Sequence, residues 1–309
     1  MPVNHFTLFR VGLLSLLVGS CFEVAHALPP GFIAETVTSK NAISGSFAKN
    51  PRNKWKPMLI LVNKDGTVSV LEDPDESPDS TEILDLKKKL CTNTERGLQS
   101  VAIHPDFEDN LYVYLYYTKY KEGCLSNDSN DGPYNVIARF SMDPETLMLN
   151  YNDRDEIWRG AVLHDNVHNG GAMIFGNDDK LYVTTGDGGT AENSQDRRTV
   201  HGKLLRLNDD GGTPHDNPFT EANGYEAYRC RVSKGRVPRD ASDDAVCGEI
   251  YSTGLRNPFR MSLDPNEKEK TLLAISDVGA RTWEEINFAG TDYAGTRNER
   301  SITYHRLCK

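Results

Sequence analysis

The segment His168–Gly189, HNGGAMIFGNDDKLYVTTGDGG, contains two short apolar runs joined by a polar turn, and this pattern indicates the fold class. Isoleucine, valine, threonine and aromatic residues in these runs favour β-strands, and Asn177–Asp179 supply turn-forming residues. Three other stretches have the same design, with turns at Asp65–Gly66, Glu108–Asn110 and Pro265–Lys270. Since helical periodicity is scarce, the sequence predicts an all-β protein.

The repeated strand–turn–strand units favour one particular all-β architecture. Similar antiparallel units separated by loops of unequal length are typical of a β-propeller, in which each unit contributes part of a blade. A β-sandwich also uses many short strands, and the pattern alone leaves that alternative open. No low-complexity linker divides the chain, so we expect a single domain.

Composition limits the function classes. The chain has 309 residues, of which 38% are hydrophobic, and this is enough to bury a sizeable core. Its formal net charge of −10 argues against nucleic acid or an anionic membrane as a partner. No segment contains the roughly 20 apolar residues that a membrane-spanning helix needs.

The N-terminus predicts export. Arg10 precedes the apolar run VGLLSLLVGS, and Ala25 and Ala27 occupy the −3 and −1 positions of a cleavage site. Residues 1–27 are therefore a predicted signal peptide, and the mature protein would be secreted, extracellular or periplasmic. An alternative is a lipid anchor on Cys21, within VGSC.

Five cysteines follow the predicted signal peptide, and exported proteins commonly form disulfides. One expected bridge, Cys230–Cys247, closes the base of a polar insertion. A second, Cys91–Cys124, brackets a pair of strands. Cys308, next to the last residue of the chain, is then left without a partner.

One histidine and one aspartate of the opening stretch are candidates for chemistry. His168 precedes Gly170 and Gly171, whose lack of side chains lets a planar ligand approach the backbone. Asp187 follows the second strand of the same hairpin and can meet the start of the first. A carboxylate bound to one imidazole nitrogen fixes the tautomer and makes the other nitrogen a better base. From these residues alone, catalytic and structural roles for His168 are equally open.

Two later segments carry ligand-binding chemistry. Arg256 and Asn257 lie in GLRNPFR, where Pro258 stiffens the loop, and their donors suit carboxylate or quinone oxygens. An ordinary pairing of Arg256 with a neighbouring strand is the alternative. The segment SDVGARTWEEIN, Ser276–Asn287, can present backbone carbonyls to a hard cation such as calcium.

Taken in order, five segments resemble the soluble glucose/sorbosone dehydrogenase family: RGLQSVAIHPDF, HNGGAMIFGNDDKLYVTTGDGG, GKLLRLNDDGGTPHDNPF, EIYSTGLRNPFRMSLDP and DVGARTWEEIN. This family includes quinoprotein sugar dehydrogenases and the propeller of Hedgehog-interacting-protein-like proteins. The resemblance implies a six-bladed β-propeller with pyrroloquinoline quinone (PQQ) on its axis and a calcium ion. The implied reaction oxidises the anomeric hydroxyl of an aldose to a lactone and passes electrons to an external acceptor.

The resemblance also implies roles for single residues. His168 matches the general base and Asp187 the acid that orients it. Arg256 and Asn257 match the residues that contact the quinone and the reacting oxygens, with Arg256 also in the catalytic set. Glu95 stands at the mouth of the cofactor site, where sugar-oxidising members can carry glutamine.

Further positions complete the implied site and mark departures from the family. Gly279 and Ala280 match positions whose carbonyls bind calcium, and Lys203 belongs to a motif that shapes the blade. Phe259 stands where bacterial glucose enzymes have glutamine. This difference brings the chain closer to the aldose-dehydrogenase-like and Hedgehog-interacting-like branches.

The similarity stops near residue 290. We therefore expect residues 28–290 to form a partial propeller of about four blades, an incomplete ring, followed by an atypical tail at 291–309. The leading hypothesis is a secreted PQQ-dependent sugar dehydrogenase acting on a small sugar. A non-enzymatic secreted binding propeller of the Hedgehog-interacting type is the alternative, and a lactonase-like hydrolase is a third. The sequence leaves the oligomeric state open.

Overall fold

The computed structural model of the chain describes Val37, residues 41–77, 79–124, 132–281 and 283–290, and the backbone of 303–308. The predicted signal peptide and the alternative lipid anchor at Cys21 lie outside these residues and stay predictions. Among the helices of the described part, none is long and apolar enough to cross a membrane.

The first two of four antiparallel sheets are continuous in sequence, with strands paired in chain order. The first sheet consists of β1 (Ser44–Asn50), β2 (Asn53–Val62), β3 (Thr67–Leu71) and β4 (Thr81–Asp85). The second consists of β5 (Leu98–Ile103), β6 (Tyr112–Lys119), β7 (Tyr134–Ser141) and β8 (Asp155–Val162). A single helical turn, α1 (Phe107–Asn110), joins β5 to β6.

The third sheet is interrupted by an insertion. It begins with β9 (Gly170–Phe175), β10 (Leu181–Thr185) and β11 (Lys203–Leu207). The insertion contains a short parallel pair, β12 (Ala227–Tyr228) and β13 (Val246–Cys247), before β14 (Ile250–Thr253) completes the sheet. The fourth sheet consists of β15 (Pro258–Leu263), β16 (Leu272–Asp277), β17 (Trp283–Gly290) and β18 (Thr303–Cys308). The backbone of β18 pairs with β17, so the fourth sheet takes a strand from the predicted tail.

The four sheets are arranged as propeller blades. Their first strands, β1, β5, β9 and β15, lie side by side in that order around a cavity of about 710 Å³. Arg260 Nη2 of β15 donates a hydrogen bond to the Ile43 carbonyl beside β1 at 2.5 Å, which links the fourth sheet to the first. The predicted all-β propeller of about four blades is thus confirmed, and the sandwich alternative is excluded for the described residues.

All four predicted hairpins are present. They join β2 to β3, β5 to β6, β9 to β10 and β15 to β16. The turn at Asp65–Gly66 is longer than the expected two residues, because Asn63–Gly66 all lie outside the strands. Gly66 N–H donates to the Asn63 carbonyl at 2.9 Å and closes this four-residue turn.

A hydrophobic core lies between each pair of successive sheets. One cluster packs the first sheet on the second, another the second on the third, and a third cluster, including Tyr182, Tyr251 and Ile275, joins the last two sheets. The insertion contributes Val237 and Ala245 to the middle cluster. Burial between blades therefore supplies most of the driving force that fixes their relative positions.

Both predicted disulfides are confirmed: Cys91 is bonded to Cys124 and Cys230 to Cys247. They fit an oxidising, exported environment. Glu249 lies close enough to Cys230 and Cys247 for the three residues to resemble a metal site. The two sulfurs are bonded to each other, however, and offer no thiolate to a metal. The side chain of Cys308 lies outside the described residues.

Candidate active site

The turns at one end of the blades bring together the predicted catalytic residues. Glu95 precedes β5, His168 precedes β9, and Asp187 follows β10, while Arg256 and Asn257 precede β15. The loops before β5, β9 and β15 and the loop after β10 all lie at the same end of the blades. Residues distant in sequence therefore become neighbours there.

His168 and Asp187 form a direct pair. His168 Nδ1 lies 2.7 Å from Asp187 Oδ1, with side-chain exposures of 16% and 4%. The Gly189 N–H also donates to Asp187 Oδ1, at 2.8 Å. Because the carboxylate accepts, the imidazole carries its proton on Nδ1, and Nε2 is left with a lone pair for a substrate.

The backbone of His168 is itself constrained. Its φ of 53° lies in the left-handed region, which a residue with a side chain adopts only at a cost. The His168 N–H donates to Glu95 Oε2 at 2.6 Å, and its carbonyl accepts from Gly188 N–H at 3.3 Å. These contacts hold the strained turn that points the imidazole toward Asp187.

Glu95 connects three blades through one atom. Its Oε2 accepts from His168 N–H and, at 3.1 Å, from the side-chain amide of Asn257. Asn257 Oδ1 in turn accepts from Gly170 N–H at 3.1 Å. The loops of the second, third and fourth sheets are thereby hydrogen-bonded to one another.

Arg256 bridges the His168–Asp187 pair and the predicted calcium segment. Its carbonyl accepts from Asp187 N–H at 2.8 Å. Its guanidinium Nη1 donates to the carbonyls of Val278, at 2.7 Å, and Gly279, at 3.4 Å. The Gly279 carbonyl thus faces a positive charge, while Ala280 is exposed beside it in an adjoining cavity of about 420 Å³.

Asp277 is a site residue to which the sequence assigned no role. It is 4% exposed, and burial raises the pKa of its carboxyl group. Asp277 Oδ2 accepts from Arg256 N–H at 2.9 Å and Oδ1 from Asn257 N–H at 2.6 Å. Asp277 is the first residue of the segment DVGARTWEEIN. Only the pairing of β15 with β16 shows that it bonds the backbone N–H groups of Arg256 and Asn257.

A cavity of about 350 Å³ lies next to this network, within the range of small-ligand sites. Its walls combine apolar side chains with polar groups, including Ile43, Lys64, Glu95, Gln99, Asn169, Gly170, Asn257, Phe259 and Val278. The buried Asn169 Oδ1 has no hydrogen-bond partner among the described residues. The apolar walls, the Phe259 ring and the polar groups of Glu95 and Asn257 fit a planar, polar-edged ring such as a quinone. The Gly279 carbonyl, by contrast, is contacted by the guanidinium of Arg256, whose positive charge would repel a calcium ion bound there unless the side chain moved.

A buried lysine supports the loop that carries Asp187. Lys203 Nζ donates to the carbonyls of Asn193 and His201, each at 2.5 Å, and of Ser194, at 3.1 Å. Asn193 Nδ2 donates to the Asp187 carbonyl at 2.9 Å. Burial lowers the pKa of Lys203 to about 7. These contacts agree with the expectation that Lys203 shapes the blade.

The neighbouring His201 makes stability sensitive to acid. Burial, reinforced by the charge of Arg236, lowers the pKa of His201 to about 3 from 6.5. Between these values the unfolded chain binds the proton and the folded chain does not, so stability is retained above pH 6.5 and lost as pH falls toward 3. We expect His201→Gln to reduce this loss by up to about 1.4 kcal/mol per pH unit, measured by urea unfolding at several pH values. The exposed His215→Gln should keep the wild-type slope; equal slopes in all three proteins would contradict the assignment.

Solved structures of sugar dehydrogenases share this fold. The PQQ-bound form of aldose sugar dehydrogenase from Streptomyces coelicolor superposes with a TM-score of 0.62 and 24% identity, over 90% of this chain and 71% of that one. The apo-form of the soluble aldose sugar dehydrogenase from Escherichia coli gives a TM-score of 0.56 and 22% identity, over 79% and 59% of the two chains. The fold is therefore that of the dehydrogenase propellers.

The sequence comparisons establish the family. The Glucose / Sorbosone dehydrogenase family model matches residues 53–229, more than half of the chain, and the chain belongs to this family. Quinoprotein glucose dehydrogenase B of Acinetobacter calcoaceticus is 28% identical over 98% of this chain and 63% of its own length. Human Hedgehog-interacting protein is 29% identical over 67% of this chain and 28% of its own length. The chain thus spans less than two thirds of either relative.

Proposed function

We propose that the chain carries the catalytic part of a secreted quinoprotein sugar dehydrogenase, which oxidises the anomeric hydroxyl of an aldose to a lactone. The observation that carries this proposal is the His168–Asp187 pair, with 2.7 Å between Nδ1 and Oδ1, beside a ligand-sized cavity. Similarity to quinoprotein glucose dehydrogenase B and to aldose sugar dehydrogenase YliI of Escherichia coli, 28% identical over 62% of this chain, supports sugar oxidation as the general chemistry.

In this proposal each residue has a defined task. Asp187 fixes the His168 tautomer, and His168 Nε2 accepts the proton of the sugar hydroxyl. Asp277 holds the backbone of Arg256 and Asn257, which would contact the cofactor and the reacting oxygens together with Glu95. When bound, PQQ supplies the hydride acceptor, and an external acceptor then removes the electrons. No task depends on calcium at Gly279 and Ala280, which stays a prediction.

A binding propeller of the Hedgehog-interacting type is the second candidate. Two features of the cavity favour it. Glu95 places a carboxylate where sugar-oxidising members can carry glutamine, and Phe259, 38% exposed, presents an aromatic ring where the bacterial glucose enzymes have glutamine. A negative charge at this position opposes a cofactor with several carboxylates, and an exposed aromatic ring is typical of protein-binding surfaces.

Cofactor reconstitution distinguishes the two candidates. The purified chain is incubated with PQQ and Ca²⁺, and dye reduction is followed with a panel of aldoses. The dehydrogenase proposal expects aldose-dependent reduction and a changed PQQ absorption spectrum. An unchanged spectrum with no reduction would reject the enzyme for this chain and leave the binding propeller as the better explanation.

A further inference from the structure

A second cleft, lined by residues other than those of the candidate active site, lies between the end of β8 and the insertion. Its volume is about 960 Å³, and His164 is one of its lining residues. Four cationic side chains and one carboxylate line it: Arg198, Lys234, Arg236, Arg239 and Asp196. The chain as a whole carries a net charge of −10, so this local excess of positive charge runs against the overall balance.

The cations of this basic cleft are available to a ligand. Lys234, Arg236 and Arg239 are exposed, and among the described residues none of them forms an ion pair within 4 Å. Arg198 is half-buried and donates from its guanidinium to the Ser242 carbonyl. Close like charges repel one another, and a bound anion would relieve that repulsion.

Three of these cations, Lys234, Arg236 and Arg239, lie on the insertion, whose backbone is firmly held. The Cys230–Cys247 bond closes its base. The Val200 N–H donates to the Gly235 carbonyl at 3.1 Å, and the Val237 N–H donates to the Arg198 carbonyl at 2.9 Å. Gly235, at φ +73°, packs so closely on the Ala161 backbone that no side chain fits there. A preorganised set of cations loses less entropy on binding than a flexible one.

Lys234, the residue before Gly235, has a strained backbone. Lys234 has φ +57°, a left-handed conformation that is costly for a lysine and free for a glycine. The turn therefore places a lysine in the wall of the cleft at some expense in backbone energy.

We propose that the basic cleft binds a small multiply charged anion, a compound with two or more sulfate or phosphate groups. Guanidinium groups bind such oxyanions through paired, charge-assisted hydrogen bonds, and three arginines allow more than one anionic group to be held at once. The volume suits a molecule of one or two sugar rings, within the range of small-ligand sites. A neutral sugar would leave the cations unmatched. None of its lining residues lines the cavities of the candidate active site, so the proposal does not depend on the proposed dehydrogenase.

Calorimetric titration of the full chain tests the proposal, with sucrose octasulfate and inorganic tripolyphosphate as probes. We expect at least one to bind, and the tighter of the two identifies sulfate or phosphate as the preferred group. Arg236→Glu should weaken its affinity by about tenfold or more, the loss of one charge-assisted contact. Arg239→Glu, at an exposed position, should weaken it likewise and covers the case in which Arg236→Glu unfolds.

The control is Lys88→Glu, an exposed lysine after the first sheet with the same change in net charge. Its affinity should match the wild type, with thermal unfolding confirming that each variant is folded. The proposal is overturned if neither probe binds, or if Lys88→Glu weakens binding as much as Arg236→Glu, because the attraction would then belong to overall charge.

Discussion

His168→Ala is expected to lower the rate of aldose oxidation by the PQQ-loaded protein by about 10²–10⁴-fold, the usual contribution of a general base. The substitution removes Nε2, which the Asp187 contact leaves free to accept a proton. The backbone N–H that bonds Glu95 is kept. PQQ binding should therefore persist, so the loss should fall on kcat. Steady-state dye reduction at saturating aldose measures kcat, and the PQQ absorption spectrum measures cofactor binding.

A matched control is His215→Ala, which removes an exposed imidazole away from the site and should leave turnover unchanged. Asp187→Asn should also lower kcat, because an amide keeps the size of the side chain but lacks the charge that stabilises an imidazolium. Full turnover in His168→Ala would refute the assignment of the base, whatever the cofactor affinity.

Gly186→Ala is expected to cause the second large loss of activity, because the added methyl group would displace the His168 loop. Gly186 does not have a left-handed φ, so alanine is not excluded by its backbone angle. A Cβ atom there would overlap the carbonyl group of His168 and press on Asn169 N. The histidine loop must then move, and a shift of about 1 Å in a catalytic group can cost about 10²-fold in rate. We also expect a loss of about 1–3 kcal/mol of stability, typical of overpacking.

The comparison for this variant is Gly248→Ala on the same blade. Its Cβ would meet a Thr213 methyl group at 3.3 Å, a contact that a small adjustment relieves. Activity and thermal unfolding of the two variants are measured side by side. Equal activity would show that the His168 loop tolerates displacement and that its fixed position is not needed.

Much of the fold could be predicted from the sequence because its information is local. Asn-, Asp- and Gly-rich turns between β-rich runs define each hairpin without knowledge of the rest of the chain. The arrangement of blades is not local, since it depends on burial between sheets. The family resemblance supplied that part, and the adjacency of β1, β5, β9 and β15 agrees with it.

The candidate site could be predicted where the type of a residue and its neighbours in sequence indicate its chemical role. His168, Asp187, Asn257 and Glu95 were expected at one site, and hydrogen bonds now join them, although their catalytic roles stay proposals. Asp277 was missed because it accepts hydrogen bonds from two backbone N–H groups in the loop before β15, and this pairing leaves no mark in the sequence. For Gly279 the sequence suggested a role, calcium binding by its carbonyl. It could not show that the guanidinium of Arg256 lies against that carbonyl.

The insertion between β11 and β14 has a consequence for protein engineering. The two ends of its disulfide-closed loop lie 5.4 Å apart between the Cα atoms of Cys230 and Cys247, which invites deletion of the loop to obtain a minimal scaffold. Yet Val237 and Ala245 are part of the core shared by the second and third sheets. A shortened variant would expose that interior and aggregate, so trimming should begin at the exposed Asp240, Asp243 and Asp244 instead.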